Sequence, residues 1–259
     1  MSVNQPPEFV KHQERKPDAF LGGKLSIFQP EKGFRAGMDS VLLGASVPPG
    51  RGKLLDLGAG AGVATLCALA HNDLLDATLV ETNPEMAALA DANIALNGLE
   101  HRARTLTVSV TASGAERKAL GLGTDQYDVV IANPPFFGVG TKAPDEGRSM
   151  ARHTDGEVSG WVRTAVSCAH AKGIVIFIHL TQELPQLLAA FNGRMGDIAV
   201  LPIAPRPGTA ATRVLIRGRK GSKSPMRLLS PLVLHGENGN AFSEPVDAIL
   251  RGKTILDWH

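Results

Sequence analysis

The stretch Lys53-Leu54-Leu55-Asp56-Leu57-Gly58-Ala59-Gly60-Ala61-Gly62 decides how this chain folds. It reads as a buried strand running into a glycine-rich turn and then into a helical pattern over residues 61–70. Glycine tolerates positive φ and lets a ligand approach the backbone closely. Working outward, apolar runs of strand character recur at residues 77–81, 105–110, 127–132, 174–179 and 212–216. Helical patterns lie between them at 84–97, 159–169 and 182–191. Pro84 suits a helix start and Asn97-Gly98 a helix stop. Strands alternating with helices predict an α/β fold with a mostly parallel sheet covered on both faces.

The chain has 259 residues, 43% apolar and 20% charged, the balance of a globular protein with an ample core. Residues 1–30 carry four prolines and read as an extended or partly ordered N-terminal arm, with the main domain over 31–259. No unbroken apolar run is longer than the five residues of 174–178, far short of the about 20 residues that span a bilayer, so no membrane partner is expected. Residues 1–20 hold five charged side chains between Lys11 and Asp18 and no apolar core, which argues against a secretory signal. Two cysteines, Cys67 and Cys168, sit in apolar helical patterns, pointing to a reduced, cytoplasmic protein. Eight histidines without metal-ligand spacing predict no metal site. Nothing in these features selects a monomer or a homodimer. The net charge is only +2, yet residues 194–230 hold eight basic side chains and one acid. Such asymmetry hints at a polyanionic partner.

In an open α/β sheet, ligands bind beyond the carboxyl ends of the strands. The first such end does not match the dinucleotide pattern, because the third glycine position falls on Val63 or Thr65. It reads instead Asp56-x-Gly58-x-Gly60-x-Gly62, with no phosphate-binding lysine following. A carboxylate there suits a cationic or hydroxyl-bearing ligand and repels a pyrophosphate. At the next strand end Glu81 is placed to accept both hydroxyls of a ribose. A phosphate-free ribose ligand with a positive centre describes S-adenosylmethionine (SAM), and Asp56, Gly58, Gly60, Gly62 and Glu81 are its expected contacts.

The fourth strand ends in Asn133-Pro134-Pro135-Phe136. Consecutive prolines remove two backbone donors and leave carbonyl oxygens without a competing N–H. With the amide oxygen of Asn133, these acceptors can hold both hydrogens of an –NH2 group. The nitrogen of an adenine or a carboxamide is a poor nucleophile, and two in-plane acceptors orient it and raise its electron density. Positioning supplies most of the acceleration, and fixed dipoles stabilise the charge that develops on nitrogen. Phe136 is placed to stack on a planar substrate.

Together these motifs resemble class I SAM-dependent methyltransferases of the Asn-Pro-Pro-Tyr/Phe branch. Gln29-Pro30-Glu31-Lys32-Gly33-Phe34-Arg35-Ala36-Gly37-Met38-Asp39 is further similar to the N-terminal signature of bacterial tRNA (adenine-N6)-methyltransferases acting beside the anticodon of valine tRNA. The resemblance implies a doubly wound, mostly parallel seven-stranded Rossmann-like sheet. It places Asp39 over the methionine end of SAM, and makes residues 222–259 a C-terminal extension of the same domain. It also supports Arg152 as a substrate contact. The family's usual Asp after the third strand is missing from Val108-Ser109-Val110-Thr111-Ala112-Ser113. The basic segment then separates substrates: Arg213, Arg217, Arg219 and Lys220 are expected to meet tRNA phosphates. Two alternatives stand beside this reading, a release-factor-type protein glutamine N5-methyltransferase and a non-catalytic RNA- or SAM-binding module. The polar segment 138–157 is long for a loop and is read as a lid or binding loop.

Overall fold

The computed structural model describes residues 16–31, 33, 35–135 and 154–258, and residues 154–157 by backbone alone. A small antiparallel hairpin opens it, β1 (Asp18–Phe20) and β2 (Leu25–Ile27). Leu21, Leu25 and Ile27 are buried. Within the expected arm, residues 18–27 are thus ordered as a hairpin packed on the core. Two asparagines of a later helix pin this hairpin: Asn93 donates to and accepts from the Phe28 backbone at 2.9 and 2.7 Å. Asn97 does the same to Ser26 at 2.8 and 3.0 Å.

The chain continues through α1 (Met38–Ala45), β3 (Gly52–Leu57), α2 (Val63–His71), β4 (Leu75–Glu81), α3 (Pro84–Leu96) and β5 (Ala103–Thr107). Then come α4 (Gly114–Ala119), β6 (Tyr127–Ala132), α5 (Thr154–Cys168), β7 (Ala169–Leu180) and α6 (Leu184–Phe191). β8 (Met195–Ala204), β9 (Arg213–Lys220), β10 (Arg227–Leu228), β11 (Leu232–Val233) and α7 (Glu244–Leu250) close it. One sheet has the order β10-β8-β9-β7-β6-β3-β4-β5, with β11 also on β8. Its seven long strands form the expected doubly wound sheet, and the two two-residue strands β10 and β11 add to the β8 edge. All pairings are parallel except those of β9 with β7 and β8.

Strands covered on both faces need apolar side chains on both, which is why β3, β6 and β7 read as continuous apolar runs. Leu54, Ile131 and Ile176 face a core shared with α1, α2, α3 and α7. Leu55, Val130 and Phe177 face the other, shared with α5 and α6. The strand order turns back between β3 and β6, so the crevice beyond their carboxyl ends is the ligand position this topology provides.

Candidate active site

A cavity of about 860 Å³ lies in that crevice. Asp56, Gly58 and Gly60 from the β3 end line it, with Glu81 from β4, Ser109, Val110 and Thr111 after β5, and Asn133, Pro134 and Pro135 after β6.

The glycine turn adopts left-handed backbone at φ 70° for Gly58, 55° for Gly60 and 83° for Gly62. Each glycine answers a different neighbour. A Cβ on Gly58 would lie 2.5 Å from the Trp161 ring, and one on Gly62 2.9 Å from the Leu79 side chain. At Gly60 a Cβ would meet only the Met86 methyl at 3.9 Å, so the backbone lies open to the cavity.

Asp56 is buried, and its carboxylate accepts from the Thr65 hydroxyl at 2.8 Å and from the Thr65 backbone N–H. It thus satisfies a first-turn donor of α2 from below, where Gly62 offers no capping side chain. Burial, offset in part by Thr65 and reinforced by the nearby Glu81 charge, pushes its pKa up to about 7. Glu81 ties two turns together: Oε2 accepts from Gly60 N–H at 2.9 Å, and Oε1 from Thr82 and Asn83 at 2.8 and 2.9 Å. Three of a carboxylate's roughly four lone-pair positions are then taken. Glu81 lines the cavity with these turn contacts in place.

At the β6 end the Asn133 side-chain oxygen is buried and has no hydrogen-bond partner among the described residues. A buried acceptor left unmade is unfavourable by about 1–3 kcal/mol, a penalty that a ligand donor would lift. Pro134 beside it is buried and Pro135 exposed. Phe136 and Arg152 lie outside the described residues, as does 138–153 of the expected lid.

Asp39 sits in the first turn of α1, and its carboxylate accepts from Arg213 Nε at 3.0 Å. Its α1 neighbours Ser40 and Leu43 line the cavity, as does Ala36 before the helix. The buried His179 next to this pair is held neutral, its pKa lowered to about 4 by burial and the Arg213 charge. Arg213 therefore stands at the carboxyl edge of the sheet, opposite Leu180. The remaining cations of β9 do not. That strand is antiparallel, so Arg219 lies opposite Ile174, near the start of the apolar run of β7. Lys220 donates to Asp125 and to the Val166 and Ala169 carbonyls at 2.7, 2.8 and 2.7 Å. Arg217 lies over the Trp258 ring at 4.8 Å. Arg217, Arg219 and Lys220, expected to meet tRNA phosphates, thus lie away from the cavity, because strand direction carries them from it.

Trp161 is a lining residue that the sequence reading missed. The signal was present: Val158, Trp161, Val162 and Ala165 share one helical face, with Val158, Val162 and Ala165 buried. Among the described residues no group of three or more His, Cys, Asp or Glu side chains gathers to hold a metal ion. No described helix is long and apolar enough to cross a membrane.

The family model for the methyltransferase small domain matches residues 37–154, which carry the glycine turn, Glu81 and the Asn-Pro-Pro segment. A crystal structure titled as a predicted O-methyltransferase from Agrobacterium tumefaciens is 30% identical, with a TM-score of 0.73 over 84% of this chain and 98% of that one. This chain belongs to the SAM-dependent methyltransferases. A protein of Bacteroides thetaiotaomicron named tRNA1(Val) (adenine(37)-N6)-methyltransferase is 31% identical over 51% of this chain and 53% of its own length. The chain thus spans about half of that relative. A protein of the same name from Shewanella sp. (strain MR-4) is 29% identical over 88% of this chain and 96% of its own. The cavity of this methyltransferase fits SAM by its own features: an open glycine backbone at Gly60, the carboxylates of Asp56 and Glu81, and an unmatched acceptor at Asn133. Ser109 and Thr111 stand where the family's usual acid is missing, their hydroxyls 3.2 Å apart.

Proposed function

We propose that this protein methylates the exocyclic N6 of an adenine in tRNA, beside the anticodon of valine tRNA, in the cytoplasm. The observation that carries this reading is the buried Asn133 oxygen, without a hydrogen-bond partner among the described residues, directly before two prolines. When bound, SAM supplies an electrophilic methyl on a positively charged sulfur. Asp56 would face the cationic part of such a ligand, Glu81 would accept from its ribose hydroxyls, and the open backbone at Gly60 would allow close approach. Asn133 Oδ1 and the Pro134 carbonyl accept the two N–H bonds of the substrate amine and turn its nitrogen toward the methyl. The two acceptors would hold that nitrogen while it took the methyl from SAM, which would leave as the neutral thioether, and until it released a proton to solvent. Phe136 stacks on the base, and Arg152 meets its flanking backbone.

An oxygen acceptor, as in the name of the Agrobacterium relative, would call for a free base. Both carboxylates of the cavity are already engaged by Thr65 or by backbone N–H groups. That favours an amine. The choice of tRNA over a protein glutamine rests on the basic segment and on the names of the Bacteroides and Shewanella relatives.

The test is incubation with labelled SAM and tRNA from a strain lacking the enzyme, followed by nucleoside analysis. Label is expected in N6-methyladenosine, and label only in protein would overturn the reading. Asn133→Ala is expected to lower kcat by at least 100-fold while SAM binding, measured by calorimetry, is retained.

A further inference from the structure

Beyond the cavity, the β8–β9–β10 edge carries a second concentration of charge. Arg217, Arg219, Asp197 and Arg227 project to the sheet face that also bears α1 and α7, as Leu215 of β9 and Ala199 of β8 do. Asp197 is the one carboxylate among them, 3.7 Å from Arg219 and 3.8 Å from Arg227. These are ion-pair separations and not hydrogen bonds. Arg217 is half-buried, and its charged form is disfavoured by burial and by the charges of Arg227 and Arg219, offset in part by the Asp197 carboxylate. Among the described residues the guanidinium groups of Arg217 and Arg227 donate no hydrogen bond, Arg217 resting over the Trp258 ring, and that of Arg219 donates one, to the Lys172 carbonyl at 3.1 Å.

The backbone brings these groups together deliberately. Asp197 takes left-handed backbone at φ 49° within an irregularity of β8 pairing, and its N–H donates to the Ser224 carbonyl. That bond folds the loop 221–226 across Gly196, where a Cβ would lie 2.2 Å from the Ser222 carbonyl. The loop then delivers Arg227 beside β8 and leaves Lys223 exposed. Three guanidinium groups around one carboxylate leave two positive charges uncompensated and many donors unused. Guanidinium forks match phosphate oxygens in geometry and charge.

We infer that Arg217, Arg219 and Arg227 form a phosphate-binding site for the backbone of a structured RNA, outside the methyl-transfer cavity. Arg219 lies opposite Ile174, which lies opposite Val129, four residues before Asn133. With about 3.3 Å per residue and 4.8 Å per strand, the cluster is roughly 15–20 Å from the clamp. It grips nucleotides well away from the target base, so the enzyme distinguishes a folded RNA from a short oligomer. This rests on the proposed RNA substrate.

The experiment compares wild type with Arg219→Gln/Arg227→Gln on full-length tRNA and on a five-nucleotide RNA containing the target adenine. On tRNA the double variant is expected to raise KM at least 10-fold with kcat retained. The slope of log affinity against log salt should become shallower by about 2, one per lost phosphate contact. On the pentamer the two proteins are expected to match. Asp197→Asn, which removes the lone carboxylate, is expected to tighten tRNA binding several-fold. A double variant with the wild-type KM and salt slope on tRNA overturns this inference alone. Wild-type enzyme that methylates no RNA overturns it together with the proposed function.

Discussion

Asp56 shows how one side chain can serve the fold and the ligand at once. Its carboxyl is buried against α2 and raised to about 7, so near neutral pH it is poised between neutral and charged forms. The folded pKa lies above the ordinary carboxyl value of 3.8. The folded state binds the proton more tightly, so this contribution is fully present below about pH 4 and is lost as pH rises through 7. At 1.36 kcal/mol per unit its full size is at most about 4 kcal/mol. Asp56→Asn is therefore expected to gain stability relative to wild type between pH 4.5 and 8, measured by urea unfolding at both. SAM affinity should move the opposite way. A cationic ligand favours the carboxylate, so wild-type affinity by calorimetry should climb from pH 5 to 7 and then level, while Asp56→Asn stays flat. A wild-type profile without that climb would separate Asp56 from the ligand's charge.

At the scale of elements, α1 and α2 form the wall on which the cavity depends, since Ser40, Leu43, Ala61 and Ala64 line it from the two helices and the turn before α2. They approach at Gly44, where a Cβ would lie 2.4 Å from the Ala64 carbonyl and 2.7 Å from the Cys67 Cβ. Gly44→Ala must push the helices apart, which is expected to destabilise by about 1–3 kcal/mol and to weaken SAM binding. Gly98→Ala is the control. It strains a left-handed position at φ 68° in open space, so it should lower urea stability by about 1 kcal/mol and leave SAM affinity alone. The same elements show what could be read without coordinates. β3, β4 and β6 were legible to within two residues, because their apolar runs end at glycine or Asn-Pro signals. α1 was not, because an eight-residue helix capped by Gly37 carries neither a capping side chain nor a long period. β8 was missed because Pro202 interrupts its apolar run. The structure accommodates that proline between the residues that pair with β10 and those that pair with β11. Of the site, the glycine turn, Glu81 and Asn133 were legible as strand-end motifs. The remoteness of Arg217, Arg219 and Lys220 was not, since it depends on the reversed direction of β9 and on partners such as Asp125 and Trp258 far away in sequence.

For the molecule as a whole, the two thiols report whether ligand binding stabilises one face or both. Cys67 lies in α2 beneath the cavity, and Cys168 ends α5 on the opposite face of the sheet. Burial raises them to about 12 and about 11, so both are neutral and enclosed. Neither is expected to react with an aromatic disulfide reagent in the native state, and both should react after unfolding. Slow native-state labelling then measures opening, at a rate set by the free energy of the open form when reclosing is fast. SAM at 100 times its Kd stabilises the folded state by about 2.7 kcal/mol, which slows any global opening by about 100-fold. The two cores sit on opposite faces of one continuous sheet, with residues alternating between them along β3, β6 and β7, so exposing one face strips the backing of the other. Cys67 and Cys168 should therefore be protected by SAM to the same extent, read out by mass spectrometry of the labelled peptides. Protection confined to Cys67 would mean that α5 opens away from the sheet without disturbing the SAM wall.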